Sequence, residues 1–199
     1  MSDDALRALC GLAASVLIGV LLAGCGSSDA PAAALASPDP MADPDSTEVQ
    51  VVVQKAKRRM FLFRPGMPAK SYRIALGSDP DGDKQRQGDG RTPVGTFYVC
   101  QKNDQSKYYL FIALSYPNEE DAGRGLESEL ITQDQHDEIL DALAEHKTPP
   151  WYTRLGGEIG FHGGGASWDW TRGCIALENA DMRELYAAIR TGTSVTIEP

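Results

Sequence analysis

The sequence predicts a mostly β domain with two packed helices, of the sandwich or barrel kind. Three observations carry this: short β-branched or aromatic runs recur through the first half of the domain, turn residues separate them, and only two stretches show helical periodicity. The first run, Val49 to Gln54, consists only of valine and glutamine. Arg59 to Phe63 follows and ends at a Pro65-Gly66 turn, and Ser71 to Leu76 gives a third strand that stops at Gly77. A long polar loop, Ser78 to Arg91, is rich in Asp and Gly. Thr92-Pro93-Val94-Gly95 then leads into Thr96 to Cys100, and Tyr109 to Leu114 makes a fifth strand.

The first helix begins at Thr132, whose hydroxyl and the Gln135 side chain have capping-box spacing. His136, Ile139, Leu140 and Leu143 fall on one face, which is expected to pack on the sheet, before the Pro149-Pro150 stop. The second helix is expected to take Asn179 as its cap and aligns Met182, Leu185, Tyr186 and Ile189. Gly192 ends it, and Val195 to Ile197 supplies a last strand.

Residues upstream of this domain read differently. Leu9 to Ala23 is an apolar run of about 15 residues, short for a membrane span and suited to the core of a signal peptide. Leu22-Ala23-Gly24-Cys25 closes it and resembles a bacterial lipobox, which implies lipidation of Cys25 and a membrane anchor through that lipid. By analogy with proteobacterial lipoproteins, Gly26 in the next position is compatible with outer-membrane sorting. Residues 26–47 are mostly Ala, Pro, Ser and Asp without apolar periodicity, a composition that cannot offset its ordering entropy and reads as a disordered tether. The expected organisation is a signal peptide with lipobox over 1–25, a tether over 26–47 and one catalytic domain over 48–199.

The formal net charge of −9 argues against nucleic-acid binding, which needs a basic face. Three histidines without paired spacing give no metal site, and no phosphate-binding or dinucleotide glycine pattern is present, so no cofactor is expected. Of four cysteines, Cys10 and Cys25 belong to the leader, which leaves Cys100 and Cys174 either as a disulfide or as free thiols.

The chemistry concentrates in Phe161-His162-Gly163-Gly164-Gly165 and Trp168-Asp169-Trp170-Thr171-Arg172-Gly173-Cys174-Ile175. A thiol is a poor nucleophile until it ionises, so it needs a base or a cation beside it, and His162 and Arg172 are the candidates. His162 ends one expected strand and Cys174 opens the next, which would bring base and nucleophile together. The N–H groups of Gly173 and Cys174 are candidate oxyanion donors. No acid follows His162 to orient it, and the carbonyl of Gly163 is the candidate for that role. Trp168 and Trp170 could stack on glycan or peptide, or simply pack in the core.

The His162-Gly163 segment, Thr171 to Ile175, and Gly88-Asp89-Gly90-Arg91-Thr92-Pro93-Val94-Gly95-Thr96-Phe97 together resemble the L,D-transpeptidase catalytic (YkuD) domain over about residues 48 to 198. Ala113 to Asn118 and Asp169 to Leu177 are more similar to its YafK-like branch than to the antibiotic-target branch. The resemblance implies an exported, periplasmic cysteine enzyme acting on peptidoglycan stem peptides, with Cys174 forming a thioester and His162 as base, and with Arg172, Trp168, Trp170 and Thr171 facing substrate. Many members carry His before Gly-Cys and Arg two residues after the cysteine; here Arg172 and Ala176 stand there. Arg172 is then a candidate for a substrate carboxylate, for lowering the Cys174 pKa, or for a plain surface charge. A same-fold hydrolase and a non-catalytic wall-binding lipoprotein remain as alternatives. An esterase suggested by His162-Gly163-Gly164-Gly165 lacks the G-x-S-x-G elbow that it requires.

Overall fold

A computed structural model describes residues 48–199. The segments expected to be an export signal, a lipobox with Cys25 and a tether lie outside the described residues. The chain runs β1 (Gln50–Gln54), β2 (Arg59–Arg64), β3 (Met67–Arg73), β4 (Gly95–Ser106), β5 (Tyr109–Leu114), α1 (Glu119–Glu127), α2 (Gln133–Ala144), β6 (Gly160–His162), β7 (Ile175–Ala176), α3 (Asn179–Ala188) and β8 (Ser194–Glu198).

The strands form one sheet in the order β3-β2-β1-β8-β4-β5-β6-β7. Most neighbours are antiparallel, as hairpin-joined strands must be, but β1 pairs with β8 and β6 with β7 in parallel. The two ends of the sheet meet. Ala75, just beyond β3, exchanges two backbone hydrogen bonds with Ala176 of β7, at 2.9 and 2.8 Å, so the sheet curls back on itself and the barrel-like expectation holds. Its interior is filled by alternating side chains such as Val51, Val53, Met60, Leu62, Ile112, Leu114, Phe161 and Ile175, with Met182 and Leu185 of α3 and Ile189 at its C-cap closing the same core.

The structure corrects the helix count and one packing partner. The third helix, α1, begins at a full capping box in which Asn118 accepts from the Asp121 N–H while Asp121 accepts from the Asn118 N–H. Its sequence hides it because Gly123 and Gly125 depress helix propensity. Gly125 is there for packing: a Cβ would lie 3.0 Å from both δ carbons of Leu155. The predicted capping box at Thr132 is present, but α2 packs on α1 instead of the sheet. Ala122, Ile131, Ile139 and Leu155 make a separate small cluster between them. At roughly 1.5–3 kcal/mol per large buried side chain, that cluster stabilises the helix pair far less than the sheet core stabilises the barrel.

The start of α3 differs as well, and the reason bears on the site. Glu178, not Asn179, is the N-cap residue, and it makes no side-chain cap bond. Both side chains reach back to the preceding loop instead: Glu178 Oε1 accepts from the Ala166 N–H at 3.0 Å and Asn179 Oδ1 from the Gly164 N–H at 2.9 Å. The far side of that loop is tied by Asp169, which accepts from the buried Leu76 N–H at 2.8 Å and from Arg58 Nη2 at 2.8 Å.

Replacing Asp169 by Ala leaves the Leu76 N–H buried without a partner, which costs about 1–3 kcal/mol, whereas Asp169→Asn keeps an acceptor oxygen and costs less. Urea denaturation of the two variants checks both the size and the order.

Candidate active site

The short parallel ladder sets the site. Phe161 pairs with Ile175 and His162 with Ala176, so continuing the register places Cys174 opposite Gly160. Side chains alternate along a strand, which puts Cys174, Ala176 and His162 on one face with the thiol and imidazole as diagonal neighbours.

His162 is 3% exposed. Tyr108 stacks on its ring at 4.8 Å and Trp170 meets it edge-on at 5.4 Å. Its Nδ1 lies 2.6 Å from the Gly163 carbonyl. A carbonyl only accepts, so Nδ1 carries the proton and Nε2 is left as the basic nitrogen. Burial pushes the His162 pKa down, against the opposing pull of the Gly163 carbonyl, and the ring is therefore neutral at pH 7.

Cys174 is also a neutral group at rest. Burial of the sulfur pushes the thiol up to about 11, a Gly160 backbone hydrogen bond and the Lys84 charge pull it down, and the Glu158 carboxylate adds to the rise. The residue keeps some surface exposure even so. Its Sγ donates to the Glu158 carbonyl at 3.3 Å. Cys100 is also a free thiol, so no disulfide competes for Cys174.

Gly173 has φ of +128°, and a Cβ there would lie 2.6 Å from the Arg91 carbonyl oxygen. No other residue fits so close an approach of two loops. The Gly173 N–H donates to Thr171 Oγ1 at 3.1 Å, and that hydroxyl donates to the Cys174 carbonyl at 2.6 Å. The Gly173 N–H is thus engaged within the turn. None of the hydrogen bonds described in the surrounding loops uses the Cys174 N–H, which leaves it, of the two, available as a candidate oxyanion donor.

The remaining sequence-predicted residues separate. Thr171 is buried and spends its hydroxyl on the backbone, so it shapes the turn that leads into Cys174. Arg172 is exposed, and Lys84, not Arg172, is the cation acting on the thiol. Trp168 is 69% exposed beside Trp170, which is fixed by its Nε1–H to the Gly165 carbonyl at 3.2 Å. Sequence reasoning missed Tyr108 and Lys84. Tyr108 sits at the β4–β5 hairpin tip, 54 positions before His162, where its carbonyl accepts from the Gly163 N–H at 3.0 Å. A hairpin was legible there, but nothing local ties its tip to a distant histidine.

Residues 48–197 match the family described as the L,D-transpeptidase catalytic domain, YkuD. Over 64 residues the chain is 41% identical to YafK of Escherichia coli (strain K12), by name a candidate L,D-transpeptidase; the match covers 31% of this chain and 26% of that protein. Among solved structures, the helical cell shape determining protein Pgp2 of Campylobacter jejuni superposes with a TM-score of 0.51 at 26% identity, over 77% of this chain and 48% of that one. An L,D-transpeptidase from Xylanimonas cellulosilytica gives 0.47 at 17% identity, over 81% and 64%. The chain therefore spans about half the length of Pgp2, and its aligned segment about a quarter of YafK.

With a thiol pushed up to about 11, the rate at which iodoacetamide labels Cys174 is expected to keep climbing through pH 9 to 10. A plateau reached by pH 7 would instead mark a preformed thiolate–imidazolium pair. Peptide mapping by mass spectrometry across that range distinguishes the two.

Proposed function

The chain belongs to the L,D-transpeptidase catalytic domain (YkuD) family, and from that membership we propose that it is a peptidoglycan L,D-transpeptidase that carries its acyl group on Cys174. The observation that carries this reading is the β6–β7 register, which sets a thiol and a buried, neutral imidazole on one face of the sheet.

The donor is a stem peptide whose L-centre carbonyl is bonded to a D-residue. The Cys174 thiol leaves the Glu158 carbonyl and gives its proton to His162 Nε2 as the sulfur attacks the donor carbonyl. A neutral imidazole is the form able to take that proton, and such base catalysis typically contributes 10²–10⁴-fold. The tetrahedral oxyanion is met by the Cys174 N–H, an interaction often worth a few kcal/mol in the transition state. The imidazolium, held by the Gly163 carbonyl, then protonates the leaving amine of the D-residue. A thioester is left on Cys174. The amine of a second peptide attacks it, His162 takes a proton from that amine, and collapse restores the thiol. Trp168 and Arg172, both exposed near the site, are the side chains available to a glycan or a peptide carboxylate.

The reading extends to place. The apolar run Leu9 to Ala23 and the Leu22-Ala23-Gly24-Cys25 tetrad favour an exported protein held in the envelope by a lipid on Cys25, with Gly26 favouring the outer membrane.

Incubating the protein with a purified muropeptide and a free D-amino acid is expected to yield the exchanged peptide. Cys174→Ala should abolish the product and His162→Ala should slow it by about 10²–10⁴-fold. Hydrolysis products alone would make the enzyme a carboxypeptidase or amidase of the same fold, and equal turnover in the Cys174→Ala protein would overturn the reading.

A further inference from the structure

The imidazole that serves as base in the proposed reaction is covered by a residue that is itself partly exposed. His162 is 3% exposed, whereas Tyr108, whose ring lies 4.8 Å from the imidazole at an interplanar angle of 25°, is 39% exposed. Tyr108 is thus the layer between that face of the imidazole and solvent. Trp170 meets both rings edge-on, the imidazole at 5.4 Å and Tyr108 at 5.7 Å, so the three rings close on one another. The Lys107 ammonium stands 5.0 Å from the centre of the Tyr108 ring, within range of a cation–π contact that helps to hold it.

Tyr108 also grips the backbone that orients the imidazole. It lies at the tip of the β4–β5 hairpin, where its N–H donates to Ser106 Oγ at 3.1 Å and its carbonyl accepts from the Leu110 N–H at 3.2 Å and the Gly163 N–H at 3.0 Å. Phe111 pairs with His162 in the β5–β6 register, which brings the tip to the end of β6. The approach is close. A Cβ on Gly163 would stand 3.0 Å from the Tyr108 carbonyl oxygen and 3.2 Å from Tyr109 Cβ, and would overlap Asn179 Oδ1. Tyr109 takes φ of +77°, a left-handed conformation that a bulky residue adopts only where its surroundings hold it there. A strained tip that bonds to Gly163 and stacks on His162 has a more specific task than closing a hairpin.

A single hydrogen bond leaves an imidazole loose, because the χ2 torsion of histidine is broad and water competes for its N–H. With Tyr108 on its face and Trp170 against it edge-on, the ring keeps the plane in which Nδ1–H reaches the Gly163 carbonyl at 2.6 Å. We propose that Tyr108 is a positioning residue of the site: its carbonyl fixes the Gly163 backbone and its ring fixes the imidazole. One residue thereby sets both partners of the Nδ1–H···O bond, and Nε2 stays the basic nitrogen. The face of the ring carries this role, not the phenol hydroxyl. The role rests on His162 being the base of the proposed reaction, but the protonation of its two nitrogens is measurable without turnover.

The test compares Tyr108→Leu, which removes the ring and keeps the backbone carbonyl, with Tyr108→Phe, which removes only the hydroxyl. Nitrogen-15 NMR of the full chain, with His162 assigned by the loss of its signals in His162→Gln, should show one protonated and one unprotonated nitrogen in the neutral wild-type ring. In Tyr108→Leu the two nitrogen shifts should converge as the ring exchanges between tautomers, and kcat for muropeptide exchange should fall by up to about 10²-fold with KM little changed. Tyr108→Phe should recover both. In a His162→Ala background Tyr108→Leu should cost nothing further, because its effect passes through the imidazole. A folded Leu variant whose nitrogen shifts stay as far apart as in the wild type overturns the proposal. So does a Phe variant as impaired as Leu, which would give the hydroxyl a role of its own, or a full loss repeated in the His162→Ala background. Should Tyr108→Leu fail to fold by circular dichroism, Tyr108→Met is read in its place. Absence of turnover in the wild-type protein would sink the acyl-transfer reading and leave the nitrogen shifts to decide this one.

Discussion

A parallel ladder only two residues deep, Phe161 and His162 against Ile175 and Ala176, sets the relation between thiol and imidazole. So short a ladder has too few hydrogen bonds to hold its register unaided, and a slip of one residue would turn the thiol to the opposite face. The surrounding structure supplies the missing constraint. Ala75 clamps Ala176 from the other side, Thr171 locks the turn into Cys174, and Asp169, Glu178 and Asn179 pin the intervening loop at three points. The barrel closure and the relation of thiol to imidazole are in this sense one feature, since the bridge that closes the sheet also steadies the strand that follows Cys174.

The same enclosure sets the electrostatics. Burial raises the thiol pKa and lowers the imidazole pKa, so each move favours the neutral form. The thiol and imidazole are thus a neutral pair at rest, and in the proposed mechanism proton transfer accompanies attack. A neutral thiol is also the form less open to oxidation, because oxidation follows thiolate character. The few charges that do reach the sulfur then matter more than their number suggests, as the low local dielectric leaves them little screened.

How much was legible in the sequence followed the range of the interaction. The β5 strand, Tyr109–Leu114, and the capping box at Thr132 are written in adjacent residues and stand where the sequence placed them. The α1 helix was hidden by two glycines, of which Gly125 serves packing against Leu155, a contact 30 positions away. Asn179 has the chemistry of a helix cap but spends it on Gly164, because the loop before it needs an acceptor more than the helix does. Around His162 the Gly163 carbonyl is local and was foreseeable, while Tyr108 and Trp170 reach the ring through the fold. Arg172 beside the cysteine in sequence turns outward, and Lys84, ninety positions upstream, acts on the sulfur instead.

Passage of the acyl group through Cys174 requires a covalent intermediate, and intact-protein mass spectrometry can detect it. After rapid acid quench from a tetrapeptide muropeptide, the account predicts an adduct equal to the donor less its terminal D-residue, mapped to the Cys174 peptide and released by hydroxylamine. Product formation with no such adduct, or an adduct that persists in the Cys174→Ala protein, would contradict it.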